Sequence, residues 1–490
     1  MTQKFSIIHI SDLHRITAVS ADSLRASFEV EKEFYRTHDI PSPSYIVVSG
    51  DIINGTKEEE ALKAKDIIQK QYAEAGKFLG ELCDIFFNGK RDRMIIVPGN
   101  HDVSQYVSRA SMKKIEHDDL DPLVEAIWDQ DSSIRWNWKD IHFYKIDKPI
   151  VYKYRFNDFT DFYNDFFKEV NWPVRIFPED PEGIASVIDF ERENISFICF
   201  NSCYRLDHLQ QSGFISYSAL SNLSAQLLTL KNQGRLMVAV WHHHTQGLPK
   251  ENNYLDYHIL DNMTKYGIKM ALHGHEHIGR VLREFSDIFK DDRMWLISAG
   301  TVYGDKRDMV PSKGRQYNLM VFERENTECK VTLYSRLDKS PQNPQPIWGA
   351  GEIGDSEKFD YSFNMKLEPI IEREDNTLLN EEINKINMEV EKTKDYQLAS
   401  KRLMSLNTHN EVVRKFLLEY LRRASDLDTI IEVFSEPFNS SEAITFIDSC
   451  IKKKAKEAFA TFKQSEYAQN IDDASVKAIY DEANFILRIV

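Results

Sequence analysis

Glycine disappears from the last quarter of this sequence. All 19 glycines lie at or before Gly354 in a chain of 490 residues, and only Pro369 and Pro437 follow. Alternating strand–helix folds need glycine for turns at positive φ. The absence therefore excludes such a fold for the C-terminal part and marks a change of architecture. Cysteine is also sparse: Cys83, Cys199, Cys203, Cys329 and Cys450 are scattered, odd in number and mostly inside apolar runs. That usage excludes a disulfide framework and fits buried thiols in a reducing cytosol. Cys199 and Cys203 are close, but no second cysteine pair completes a zinc site. No run approaches the ~18 apolar residues of a membrane span. The N-terminus enters a strand pattern at Phe5 without a signal-peptide core. The expectation is a soluble, cytoplasmic chain without membrane association. A net basic charge is missing too, the balance being −15. This argues against a broad basic surface that coats nucleic acid. It does not exclude a nuclease, because bound cations reverse the local sign inside a carboxylate-lined cleft.

What is present begins with an ordinary globular composition, 42% hydrophobic and 28% charged, and a length that predicts two units. Apolar strand candidates fall at 5–10, 45–49, 94–97, 196–200, 236–241, 269–272, 294–298, 317–322 and 331–334. Helical patterns lie between several of them, at 57–79, 218–231 and 254–266. Near-continuous runs such as Ile46-Val47-Val48 are typical of strands covered on both faces. The spacing predicts an α/β domain over 1–345, a two-sheet αββα sandwich. The stretch from Pro341 to Gly351 reads as a connecting segment. An all-α domain is expected over 360–490, where Val412, Val413, Phe416, Leu417, Tyr420 and Leu421 recur at helical spacing.

Five polar clusters stand where apolar strands end. They are Asp12-Leu13-His14, Gly50-Asp51, Gly99-Asn100-His101-Asp102, His242-His243-His244 and Gly274-His275-Glu276-His277. Any one of them has a bland reading, since Asp or Ser after a strand commonly caps a helix and Gly-Asp turns are frequent. Together they supply the mixed oxygen and nitrogen donors that hold two divalent cations. A pair of ions bridged by a carboxylate can clamp both the attacking and the leaving oxygen of a phosphoryl displacement. Ligands at the ends of separate strands would converge at one edge of the sheets.

These motifs resemble the calcineurin-like metallophosphoesterase superfamily, over roughly residues 5–340 and with no motif missing. Within it the sequence is most similar to the bacterial cyclic-nucleotide phosphodiesterase branch, through Asn201-Ser202 at a strand end and the leucine-spaced helix between Gly213 and Leu230. The resemblance implies one metal held by Asp12, His14, Asp51 and His277. It implies a second held by Asp51, Asn100, His275 and one member of the His242–His244 run, with Asp51 as the bridge. His101 is then the proton donor to the leaving group and not a ligand. A metal-bridging hydroxide would be the nucleophile. Manganese is favoured among manganese, iron, zinc, magnesium and nickel, all of which suit such donors.

The chain departs from the family in two places. The histidine strand end is usually followed at once by proline, whereas Pro249 comes later here. His242 is taken as the ligand because it comes first after the strand, with His243 as the substitute. Asp102 has two readings, orienting His101 or capping a helix that begins near Ser104. The second departure is an aromatic-rich insertion at about 111–189, which includes Trp128, Trp136, Trp138, Phe159, Phe162, Tyr163, Phe166, Phe167 and Trp172. A subdomain core is favoured there over a base-stacking platform. The expected function is a two-metal phosphodiesterase acting on a nucleotide or nucleic acid. The alternatives are a nuclease or a phosphomonoesterase that serves chiefly as an effector subunit. Its helical tail would then dock a protein partner or another copy.

Overall fold

The computed structural model describes residues 3–14, 21–116, 121–127, 132–170, 185–245, 254–255, 258–286, 293–302, 314–324, 328–343, 345–351, 357–365, 377–471 and 473–487. The chain divides into two compact units, the first made of Met1–Phe285 and Arg293–Ile371 and the second of Ser286–Asp292 and Glu372–Val490.

Two sheets build the first unit. In one, the strands Gln3–Ile10, Pro43–Ser49 and Met94–Val97 run parallel and adjacent. Gln316–Arg324 and Glu328–Asp338 continue that sheet in antiparallel fashion. In the other, Ile195–Phe200, Leu236–Val240, Met270–His273 and Arg293–Ser298 are parallel neighbours. The apolar alternation explains how they stack. Phe197, Cys199, Val238, Val240 and Leu272 join Ile7, Val47 and Ile96 in one shared core. Ile198, Phe200, Met237, Ala239 and Ala271 turn the other way, onto Leu220, Leu227 and Leu230 of helix Tyr217–Asn232. Strands buried on both faces read as unbroken hydrophobic runs, and here they do. The expected α/β sandwich is the architecture of this unit.

Several boundaries differ from the sequence reading. The segment from Pro341 to Gly351 is no linker. It is a turn whose return strand, Trp348–Ala350, pairs with Glu328–Asp338. The Asp338 carboxylate closes the turn by accepting from the amides of Ser340 and Ile347. The helical domain does not begin at 360, because strand Lys358–Asn364 pairs with Glu328–Asp338 across seven residue pairs. Tyr361 and Phe363 are buried in the main core. Absence of glycine does not by itself make a helix here: Phe359, Tyr361 and Phe363 alternate as a strand requires.

In the insertion, three short strands (Met112–Lys114, Ile134–Asn137, His142–Ile146) form a separate small sheet. Its helix Asn157–Phe166 lays Phe159, Tyr163 and Phe166 into the main core. Phe162 stacks on Tyr72 of helix Ala61–Phe87, with ring centroids 4.9 Å apart. These aromatics are core rather than a base-stacking platform, but they belong to the main core and not to a separate subdomain core. Trp138, 84% exposed, is not core. Trp128 and Trp172 lie outside the described residues.

The described part of the second unit is helical from Thr377–Thr393 to Ala474–Leu487. Asp395, Asn410, Asp426, Asn439 and Ser465 each accept an amide at a helix start. Such caps, rather than glycine, define these turns. Leu403, Leu417, Phe434, Phe446 and Phe459 form its own core. Among the described residues, no helix is long and apolar enough to cross a membrane.

Candidate metal centre

Each polar cluster sits at the carboxyl end of a parallel strand. Asp12 and His14 follow Gln3–Ile10, Asp51 follows Pro43–Ser49, and Asn100 follows Met94–Val97. His242 follows Leu236–Val240, and His275 and His277 follow Met270–His273. The chain must turn sharply there. Asp12, His14, Asp51, His275 and His277 all adopt positive φ, from 40° to 80°. Non-glycine residues in that region cost about 1–3 kcal/mol each unless their surroundings over-determine them. The surroundings do so. The amides of Asp12 and His14 donate to the carbonyls of Gly50 and Asp51. The amide of His275 donates to Asp12 Oδ2 at 3.1 Å, and Thr301 Oγ1 donates to the Asp12 carbonyl at 2.6 Å. Two motif glycines are required by close approach: a Cβ on Gly99 would overlap Asp51, and one on Gly274 would overlap Ser11 and Asp12.

The donor atoms fall into two clusters. In the first, His14 Nε2 is 2.9 Å from His277 Nε2, 3.5 Å from Asp51 Oδ2 and 3.8 Å from Asp12 Oδ1. His277 Nε2 is 3.5 Å from Asp12 Oδ1, and donor atoms of all four residues lie within 4.8 Å of one another. In the second, Asn100 Oδ1 is 2.9 Å from His242 Nε2 and 3.0 Å from His275 Nδ1. The two imidazole nitrogens are 3.3 Å apart, and His242 Nε2 is 3.4 Å from Asp51 Oδ2. Asp51 Oδ2 is therefore common to both clusters.

The second cluster's separations, 2.9–3.4 Å, are close to ligand edges around a cation, and the first cluster is looser at up to 3.8 Å. Two donors bonded at ~2.1 Å and ~90–110° apart stand roughly 3.0–3.4 Å from each other. The donor set of imidazoles, carboxylates and one amide oxygen suits divalent transition metals. Orientation is also supplied. His242 Nδ1 donates to the Ser49 carbonyl at 2.8 Å, which turns Nε2, the nitrogen that would ligate once deprotonated, toward the cluster. Of His242 and His243, it is His242 whose Nε2 stands within 3.4 Å of Asp51, Asn100 and His275. The anchoring carbonyl of Ser49 is backbone and carries no sequence signal.

His101 lies beside the clusters, its ring centroid 4.6 Å from that of His14. Its Nδ1 donates to the Asn54 carbonyl at 2.8 Å, so Nε2 remains for chemistry. Asp102 does neither job expected of it. Its Oδ2 accepts from the amides of Gly99 (2.8 Å) and Ile52 (3.2 Å), and its Oδ1 from the Tyr72 hydroxyl. It fastens the Asn100–Asp102 turn to the loop after Asp51. The following helix, Gln105–Ser111, starts after Ser104 without it.

Electrostatics among these groups are strongly uneven. Burial opposes a charge on His242, but Asp51 and Asp12 outweigh it and raise the imidazole to about 9. Burial likewise disfavours the Asp51 carboxylate, yet His242, His101 and His14 hold it well below the usual range. Burial, then the charge of His242, pushes His275 down to about 3. Burial, then the Asp51 charge, lifts Asp102 to about 7.

A fold with parallel strand ends meeting at an Asp/His/Asn double cluster defines a dimetal phosphoesterase class. The chain belongs to the calcineurin-like phosphoesterase family, whose sequence model matches residues 5–279. Membership makes it a phosphoric ester hydrolase of a dimetal superfamily. Among solved structures it is similar to a dimetal phosphatase from Danio rerio, at 12% identity over 67% of this chain and 95% of that one, with a TM-score of 0.35. It is also similar to the calcineurin-like phosphoesterase YfkN from Bacillus subtilis, at 12% identity over 80% of this chain and 100% of that one, with a TM-score of 0.31. No curated protein matches the sequence.

Proposed function

We propose that the protein is a two-metal phosphodiesterase whose substrate is a nucleotide or nucleic acid. The observation that carries this reading is Asp51 Oδ2, placed between His14 Nε2 at 3.5 Å and His242 Nε2 at 3.4 Å. A single carboxylate oxygen shared by two donor clusters suits a bridge between two cations. In this assignment Asp12, His14, Asp51 and His277 hold one ion, and Asp51, Asn100, His242 and His275 hold the other. When bound, the ions supply Lewis-acid stabilisation of the phosphoryl oxygens and acidify a water to serve as nucleophile.

The chain's own residues do the rest. Asp51, kept anionic by its histidine neighbours, keeps the two positive centres together. His242 is aimed by the Ser49 carbonyl and His275 is tied through its amide to Asp12. His101, fixed through Nδ1 to Asn54, presents Nε2 to hand a proton to the departing alkoxide, the role best suited to an imidazole near neutral pH. The diester preference and the nucleotide substrate rest on the resemblance of Asn201-Ser202 and the Gly213–Leu230 stretch to the cyclic-nucleotide branch. Manganese is the favoured ion.

The test is turnover by metal-reconstituted full-length protein on bis-p-nitrophenyl phosphate, p-nitrophenyl phosphate, cyclic nucleotides, and single- and double-stranded DNA. Faster turnover of the chromogenic diester and of one nucleotide substrate supports the proposal. Exclusive turnover of the monoester would replace it with a phosphomonoesterase.

A further inference from the structure

Three adjacent histidines follow the strand Leu236–Val240 and Trp241, and His242 is the one that enters a donor cluster. His243 is equally buried and is held at Nδ1, at its backbone and on one ring face, while its Nε2 has no hydrogen-bond partner. Its Nδ1 lies 2.8 Å from Ser202 Oγ. The same Oγ accepts the backbone N–H groups of His242 and His243, each at 3.2 Å. Trp241 Nε1 donates to the His243 carbonyl at 2.8 Å. Gly213 packs against the ring so closely that a Cβ there would overlap Cγ. The ring cannot swing away from its neighbours. Those neighbours are the second-cluster imidazoles, with His275 at 4.9 Å and His242 at 5.4 Å between centroids.

Hydrogen-bond counting sets the tautomer. A serine hydroxyl has two lone pairs and one proton. The two backbone N–H groups occupy the lone pairs of Ser202, so its proton goes to His243 Nδ1. His243 Nδ1 is then an acceptor, and its proton sits on Nε2. The position of His275 shows why this matters. A ligating imidazole is ordinarily oriented by a hydrogen bond from its other nitrogen. His242 has one, to Ser49. His275 Nε2 is buried and has no hydrogen-bond partner, so packing must orient that ring, and the two imidazoles packed on it are His243 at 4.9 Å and His242 at 5.2 Å.

We propose that Ser202 and His243 are a positioning pair for the second metal, an inference that rests on the two-metal reading above. Ser202 locks His243 as the Nε2–H tautomer, and His243 is the wall that keeps His275 beside His242 at coordination distance. A buried histidine that merely fills space would stabilise the fold and affect both ions alike. A positioning pair acts on one ion of the two.

Stepwise manganese titration of the metal-free full-length protein, followed by calorimetry and by the spin-coupled electron paramagnetic signal of a manganese pair, separates these cases. Ser202→Ala and His243→Phe should each weaken the second ion roughly 10–100-fold and leave the first unchanged, with loss of the coupled signal. Ser202→Thr, which keeps the hydroxyl, should bind both ions as the parent does. The ¹⁵N spectrum of histidine-labelled metal-free protein should contain an Nε2–H imidazole that Ser202→Ala alters. Unchanged second-ion affinity in Ser202→Ala overturns the proposal. So does a parallel weakening of both ions with a lowered melting temperature of the metal-free variant. If the parent protein itself takes up fewer than two ions, the two-metal reading fails and takes this inference with it.

Discussion

The backbone N–H of His101 donates to Asp51 Oδ1 at 2.8 Å. One carboxylate thus has a different task for each oxygen: Oδ2 faces both donor clusters, and Oδ1 holds the turn that carries His101. The residue assigned to the proton and the residue assigned to the bridge are one hydrogen bond apart.

His101→Ala keeps that backbone donor and removes only the imidazole. Both ions should remain bound while hydrolysis slows by roughly 10²–10⁴-fold, the usual range for a lost general acid. The slowing should be larger for an alkyl leaving group than for p-nitrophenolate, which departs without a proton. Equal losses on the two substrates would assign His101 to positioning.

Metal uptake should depend on pH in a definite direction. His242 in the metal-free protein titrates at about 9, and a coordinating imidazole must be neutral. Protons and the second ion therefore compete below that value. Affinity for the second ion should rise with pH and level off above about 9, with about one proton released per ion bound at pH 7. Calorimetry in buffers of different ionisation enthalpy measures that proton count. A pH-independent affinity between 6 and 9 would contradict the assignment of His242.

Much of this site was legible because each ligand follows directly on a buried strand, where a run of polar residues has no packing purpose. The fold class was legible for the same reason, in the unbroken apolar runs. Three features were hidden. Sequence does not encode which of two adjacent histidines turns inward; that depends on Ser49 and Ser202, on neighbouring strands. Nor does it mark the positive φ of Asp12, His14 and Asp51, since those residues look like ordinary turn formers. The role of Asp102 is hidden because two of its partners, Gly99 and Ile52, are backbone amides and the third, the Tyr72 hydroxyl, is 30 residues away in sequence.

The strand Lys358–Asn364 departs furthest from the sequence expectation, and it decides where the chain can be truncated. A chain ending at Gly354 loses Tyr361 and Phe363 from the core and leaves Trp295 without Tyr361, whose ring centroid is 4.5 Å away. Removing two buried aromatics at about 3–5 kcal/mol each is comparable to a whole domain's stability. A chain ending at Ile371 keeps them. The shorter product should be insoluble or molten by near-ultraviolet circular dichroism. The longer one should fold and bind metal. A well-folded, metal-binding product ending at Gly354 would show that this strand is dispensable.

The central claim is that Asp51 joins two ions in one hydrolytic centre, and ion counting alongside turnover in Asp51→Asn tests it most directly. Parent protein reconstituted with manganese should hold two ions per chain and cleave bis-p-nitrophenyl phosphate. Asp51→Asn should hold fewer than two and lose turnover. Two tightly held ions with normal turnover in the variant, or full activity in parent protein that carries one ion or none, would contradict the account.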